Sequence, residues 1–235
     1  MRARRAVLAA VLASALAVLA PTPAQAAFGL RPGPEGFEVR IDGEGEAVDS
    51  EAGSHPAALT ATVNFNLEGG GPFTEGDLKD LDLELPPGLI ENANVLPTCS
   101  QAEFLTPRSS PWEKSLSGES CRDRTQVGML ILRSSHGGGE ERSFGLFNLA
   151  PPPGTPSELG ANPYGSPIVF VPSVRQADGE YGTTLKVADV SQHVALSGLT
   201  LTIWGAPWAA VHNTQRGNCL KEVEPGFGWA KTQVL

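Results

Sequence analysis

Basic residues are scarce in this 235-residue chain: 17 lysines and arginines face 26 aspartates and glutamates. Arg2, Arg4 and Arg5 belong to a predicted leader, and removing them leaves 14 basic residues and a net charge of −12. Proteins that bind nucleic acid or anionic lipid depend on lysine and arginine for that contact. The composition therefore argues against a nucleic-acid partner and favours an acidic, solvated exterior that keeps an exported protein soluble.

Long apolar runs are also lacking, with one exception at the start. Residues 6–20 are apolar except for Ser14, follow the three arginines, and precede Pro21, Pro23 and the small-residue sequence 24–26 (AQA). This pattern predicts a signal peptide over residues 1–26, cleaved before Ala27. A permanent N-terminal anchor is the alternative, but the run is shorter than the roughly 20 residues that a membrane-spanning helix needs. We expect a secreted or cell-surface protein without a membrane span in its mature chain.

Cysteine is rare, with three in the chain: Cys99, Cys121 and Cys219. Disulfides persist in exported proteins, and Cys99 and Cys121 flank a polar, Pro/Ser-rich stretch that suits a stapled loop. We predict that these two are bonded, which stabilises the fold by about 3 kcal/mol in the chain-entropy view. Cys219 is then left over. Residues 219–235 are expected to be either the start of a truncated downstream segment or a disordered tail.

Helical periodicity is missing after the predicted leader, and the chain instead shows short alternating runs, with 27 glycines and 20 prolines in its full length. Alternation of apolar and polar residues is typical of strands with one dry and one wet face. Strands are predicted at residues 36–41, 59–67, 81–85, 127–133, 143–149, 168–174, 181–190 and 199–204. Their spacing predicts one all-β domain over residues 27–218, an antiparallel β-sandwich (Ig-like or jelly-roll-like) with long Gly/Pro-rich loops.

Motifs of catalysis and cofactor binding are missing as well. The sequence contains no HExxH, no GxSxG and no glycine-rich loop followed by Lys-Ser/Thr. The four histidines, at positions 55, 136, 193 and 212, show no metal-ligand spacing and are interpreted as surface residues. We therefore expect no catalytic, cofactor-binding or metal-ligating residues. A pair of carboxylates contributed by distant strands, as in a secreted hydrolase, stays open as an alternative.

An acidic stripe along the third predicted strand raises the question of calcium. Asp77, Asp80, Asp82 and Glu84 supply the carboxylate oxygens that Ca²⁺ prefers. However, alternate residues of a strand lie about 7 Å apart, and no glycine folds the stripe around an ion. A solvated strand face is the favoured interpretation, with a calcium site as the alternative.

Aromatic residues are few, at 6% of the chain. Trp204, Trp208 and Tyr164, together with Trp112, are candidates for an aromatic platform that binds sugar rings. Packing of these rings within the protein interior is the favoured alternative.

An ordered series of motifs resembles a group of secreted surface proteins from high-GC, actinobacterial-type bacteria. The series comprises residues 85–90 (LPPGLI), 96–97 (LP), 99–100 (CS), 125–128 (TQVG), 147–154 (FNLAPPPG), 173–175 (SVR), 204–207 (WGAP) and 212–220 (HNTQRGNCL). The sequence departs from the pattern at Arg122, where the family tends to have proline. The resemblance implies extracellular or cell-surface proteins, often longer and with Ig-like modules downstream, and it brings no enzymatic residues.

Together these patterns predict a non-enzymatic extracellular or cell-surface module with a structural or adhesive role. Cell-envelope polysaccharide or another surface protein would be its partner. A carbohydrate-binding or calcium-assisted adhesion domain is the alternative.

Overall fold

A computed structural model describes residues 28–43, 47–51, 53–89, 91–92, 96–106, 121–135, 139–177, 180–193, 195–216, 220–223 and 230–233. The predicted leader, Trp112, His136 and Cys219 lie outside these residues. Within them, no helix is long and apolar enough to cross a membrane.

Nine strands form one antiparallel sheet in the order β1-β2-β9-β4-β5-β6-β7-β8-β3. They are β1 Phe37–Asp42, β2 Ala58–Asn64, β3 Leu81–Glu84, β4 Gln126–Ser134, β5 Glu141–Asn148, β6 Leu159–Ala161, β7 Ile168–Ala177, β8 Glu180–Val187 and β9 Leu196–Trp204. A separate hairpin pairs β10 (Leu220–Val223) with β11 (Ala230–Gln233). The helical elements are α1 (Gln101–Leu105) and short 3₁₀ turns at Glu68–Gly70, Asp123–Thr125 and Ala210–Gln215. The predicted all-β, antiparallel architecture is confirmed.

Strand β2 shows how the sequence pattern becomes a two-faced sheet. Leu59, Ala61 and Val63 are buried, and the threonines between them point to the opposite face. There Thr60 and Thr62 meet Thr202 and Thr200 of β9, with hydroxyl oxygens 3.4 and 3.3 Å apart. Because side chains alternate between faces, every buried residue of β2 contributes to one core. We refer to the Leu59 face as the inner face of the sheet and to the Thr60 face as the outer face.

The inner face closes on itself. Leu130 of β4 and Leu199 of β9 line the same small apolar void, about 10 Å³, as Phe170 of β7 and Val187 of β8. These two strand pairs are separated in the sheet by β5 and β6, so the sheet must curl to bring them together. Hydrogen bonding is continuous through all nine strands, which therefore form one curled antiparallel sheet.

A second, smaller core lies on the outer face. Cys99 and Cys121 form a disulfide with their Cα atoms 5.5 Å apart, which confirms the predicted pairing. Around it pack Phe104 of α1, Phe147 of β5 and Leu149. The outer face of this sheet is therefore partly covered, unlike the wet face that the alternating pattern predicts.

Helix α1 owes its place beside the disulfide to a capping box. The Ser100 hydroxyl accepts a hydrogen bond from the Glu103 backbone N–H at 3.2 Å, and the Glu103 carboxylate accepts one from the Ser100 N–H at 3.1 Å. This reciprocal pair satisfies donors that the first helical turn leaves free. It begins the helix at Gln101, two residues after Cys99, and Phe104 of this helix packs in the smaller core.

Candidate functional site

A second cover of the outer face is formed by residues 205–216, which follow β9 and fold back over the sheet. We call these residues the covering segment. Its first residue donates a hydrogen bond from the Gly205 N–H to the Ala57 carbonyl (2.8 Å), and the Gln215 carbonyl near its end accepts one from Gln126 Nε2 (2.9 Å). A Cβ atom at position 205 would overlap the Pro56 carbonyl oxygen, so this turn requires glycine.

Trp204 is the residue that the covering segment buries. It pairs with Ala58 in the β2–β9 register and lies on the same face as Thr202, the outer one. Even so it is only 3% exposed. The His212 imidazole stacks on its indole, with ring centroids 4.5 Å apart and planes inclined by 13°. The Arg216 guanidinium carbon lies 5.3 Å from the indole centroid, a cation–π distance.

Polar atoms in this stack are left without hydrogen-bond partners. They are Trp204 Nε1, His212 Nε2 and Arg216 Nε, each buried. Arg216 Nη2, by contrast, donates to the Pro207 carbonyl and so closes the covering segment on itself. Burial lowers the pKa of His212 below its ordinary value of 6.5, and the charge of Arg216 lowers it further. The imidazole is therefore neutral at neutral pH.

The covering segment also presents two large apolar side chains to solvent. Trp208 is 69% exposed and Val211 is 70% exposed. Hydrogen bonds from Ala209 N to the Ala206 carbonyl and from His212 N to the Ala209 carbonyl wind this stretch with a three-residue repeat. Trp208 lies just before the 3₁₀ turn at Ala210–Gln215, and Val211 lies within it. One segment thus has a buried aromatic stack on one side and an exposed tryptophan on the other.

The three rings predicted as a ligand platform do not come together as one surface. Trp204 is buried, as the favoured interior alternative expected, while Trp208 is exposed. Tyr164 is 47% exposed in the β6–β7 connection, where its ring meets Phe144 edge-on at 5.3 Å. Phe144 belongs to the main core on the inner face, whereas Trp204 lies on the outer face. Of the three rings, Trp208 is the one presented by the covering segment.

The interpretation of the histidines as surface residues is wrong for His212. His55 and His193 are exposed, but His212 is 6% exposed, because its ring lies between the covering segment and the sheet, stacked on Trp204. No local signal in the sequence could have revealed it. His212 lies in a 3₁₀ turn, Arg216 follows that turn in extended conformation, and the stacking partner Trp204 belongs to the preceding strand.

The acidic stripe on β3 is engaged by basic residues of neighbouring strands. Asp82 Oδ2 lies 3.9 Å from Lys186 Nζ of β8, and Glu84 Oε2 lies 3.8 Å from Arg175 Nη1 of β7. Among the residues that the structure describes, no group of three or more histidine, cysteine, aspartate or glutamate side chains is placed to hold a metal ion. These contacts match the interpretation of a solvated strand face.

Glu158 bears on the hydrolase alternative, because it is a largely buried carboxylate. Burial raises its pKa, and the Gln101 side-chain amide donates a hydrogen bond to its Oε2 at 2.5 Å. Since Gln101 belongs to α1 and Glu158 directly precedes β6, the bond ties α1 to the sheet. The Glu158 carboxylate therefore helps to hold α1 against the sheet beside the smaller core.

Comparison of the chain with protein-family models, with curated proteins and with solved structures finds no match.

Proposed function

We propose that the chain is an exported, non-enzymatic module with a structural or adhesive role outside the cell or at its surface, and that the covering segment is its contact surface. The predicted leader and the Cys99–Cys121 disulfide support export, because disulfides persist in oxidising compartments. The motif resemblance to secreted surface proteins supports the same compartment.

The observation that carries the adhesive role is the exposure of Trp208. A tryptophan with 69% of its surface in water leaves a large apolar area uncovered. Tryptophan is enriched among the residues that contribute most to protein interfaces. Here the exposed ring sits on a segment fixed to the sheet by the buried Trp204 stack, so a partner would not have to order the segment on binding. The partner would be cell-envelope polysaccharide or another surface protein.

The test is sedimentation of the secreted, disulfide-intact protein with purified cell walls of a high-GC Gram-positive bacterium. We expect Trp208→Ala to weaken wall binding by about 30-fold, the effect of losing a contact of ~2 kcal/mol. Tyr181→Ala is the matched control, because Tyr181 is 65% exposed on β8, away from the covering segment. Equal binding by both variants and the wild type would contradict the proposal.

Carbohydrate binding is the second candidate function, favoured by the same exposed indole, which offers a flat apolar face to a sugar ring. Soluble oligosaccharides released from the walls should then shift the tryptophan fluorescence of the wild type saturably, and Trp208→Ala should abolish the shift. Wall binding that depends on Trp208 but is not competed by these sugars indicates a protein partner. Loss of wall binding in the presence of a calcium chelator would instead indicate calcium-assisted adhesion.

A further inference from the structure

We propose that protonation of His212 releases the covering segment from the sheet, so that acid regulates the surface that presents Trp208. As regulation of adhesion, the inference rests on the proposed function. The opening itself involves this chain alone and is measured without any partner.

The geometry of the stack makes it suitable only for a neutral imidazole. His212 is 6% exposed and lies flat on the Trp204 indole, and its Nε2 atom has no hydrogen-bond partner. A proton added to the ring would create a cation in a buried site, and would require acceptors for both ring nitrogens. A buried charge without a counter-charge is strongly destabilising, so the favourable response is for the ring to leave the stack.

Charged groups around the imidazole increase this effect. Arg216, four residues along the same segment, already places a guanidinium over the same indole. Strands β2 and β9, which lie beneath the stack, contain no ionisable residue. The one ionisable residue of β4 is Arg133, which pairs with Gly198 at the far end of β9 and contacts Glu141 at 3.3 Å. Arg122, Asp123 and Arg124 lie in the turn before β4, next to Gln126, which bonds to Gln215. The charge that lowers the pKa of His212 is that of Arg216, and it repels a second cation.

The consequence of expelling His212 is local. The main core comprises inner-face residues and does not include Trp204 or His212. Besides the stack, the described ties of the covering segment to the sheet are the hydrogen bonds of Gly205 and Gln215. Local opening with few bonds to break needs much less free energy than global unfolding. Acid should therefore free residues 205–216 and expose Trp204 while the nine-stranded sheet stays folded.

The experiment is acrylamide quenching of tryptophan fluorescence between pH 8 and pH 4.5, in a background in which Trp112, Trp208 and Trp229 are replaced by phenylalanine, so that Trp204 is the single indole. We expect the quenching constant to rise about twofold or more as pH falls below 6.5, with an unchanged far-UV circular dichroism spectrum. His212→Phe keeps an aromatic ring on Trp204 but cannot be protonated, so its quenching should stay flat over this range. His193→Gln, which alters an exposed histidine, should behave like the unsubstituted background.

Histidine ring signals in NMR spectra of the unsubstituted protein give a second readout that does not depend on any variant folding. The His212 signals should titrate below the ordinary histidine pKa of 6.5, and the indole signal of Trp204 should shift together with them. A His212 that titrates at or above 6.5, or identical quenching profiles in the background and in His212→Phe, would overturn the proposal. Wall binding that fails at every pH while acid opening is observed would count against the proposed function only.

Discussion

The side chain of Arg133 on β4 lies across Gly198, its partner residue on β9, and Arg133 Nη2 reaches the carbonyl oxygen of Val63 on β2 at 3.3 Å. The same relationship recurs toward the opposite edge of the sheet, among β7, β8 and the segment that follows β3. There Arg175 of β7 lies across Gly182 of β8, and its Nη2 donates to the Leu85 carbonyl at 2.9 Å. In both places the middle strand has a glycine, so the arginine side chain can cross it and hydrogen-bond to the backbone of the segment beyond.

Adding a methyl group at Gly198 should disrupt this contact. A Cβ atom there would lie 2.7 Å from the Val63 carbonyl oxygen and 2.9 Å from Arg133 Nε, closer than real Cβ contacts allow. We expect Gly198→Ala to lower the free energy of unfolding by about 1–3 kcal/mol, the usual cost of overpacking, as measured by urea denaturation. Gly29→Ala is the control, because nothing lies within 4 Å of the position that its methyl group would take, and it should change stability little.

Reduction of the Cys99–Cys121 disulfide should destabilise the protein through its smaller core. The bond closes a loop with a sequence separation of 22 and packs against Phe104 and Phe147. We expect Cys99→Ser/Cys121→Ser to lose about 3 kcal/mol of unfolding free energy. Denaturation in the presence and absence of a reducing agent checks this, since the double variant should be insensitive to the agent. A wild type equally stable when fully reduced would contradict the role given to the bond.

The inner face of the sheet could be predicted from the sequence because alternation reports burial on one face. The pattern from Leu59 onward predicted β2, and the runs near residues 127–133 and 199–204 predicted β4 and β9 to within a few residues. Strand β6 was missed, since three residues, Leu159–Ala161, are too few to show an alternation. Helix α1 was missed because its five residues make little more than one turn.

The candidate site could not be predicted from the alternating pattern, because it lies on the outer face of the sheet. Alternation assigned that face to water, but Trp204 is buried there by a segment whose residues are typical of a loop. Whether a loop covers a strand depends on tertiary contacts such as the bond between Gln126 and the Gln215 carbonyl, 89 residues apart. That contact cannot be predicted from the local sequence pattern, so His212 was assigned to the surface.

The stability of the folded protein should depend on pH through His212. Burial and Arg216 lower its pKa in the folded state, whereas the unfolded chain protonates near the ordinary value of 6.5. Below about pH 7 the unfolded state therefore binds more protons than the folded state. The free energy of unfolding decreases as the pH is lowered, until the pH is below the folded-state pKa of His212. Urea denaturation at pH 8, 6.5 and 5 should show this loss in the wild type. In His212→Phe the loss should be smaller, and an equal loss would assign the effect to other groups.

Processing of the leader gives a prediction independent of the fold. The small-residue sequence at 24–26 after a short apolar run should direct cleavage before Ala27. Mass spectrometry of the protein recovered from a secreting host should find Ala27 at the N-terminus. Replacement of Ala24 and Ala26 by arginine should block cleavage and leave the precursor with the cells. Secreted material that begins at Met1 would contradict the predicted signal peptide.

Hydrogen–deuterium exchange with and without cell walls tests most directly whether residues 205–216 form the contact surface. At neutral pH, wall-bound protein should show slower exchange in peptides covering residues 205–216, and unchanged exchange in peptides of β8, where exposed Tyr181 serves as an internal reference. The Trp208→Ala variant should show no such protection under the same conditions. Protection that is confined to β8 or to the β1 edge, with none over residues 205–216, would contradict the assignment of the contact surface.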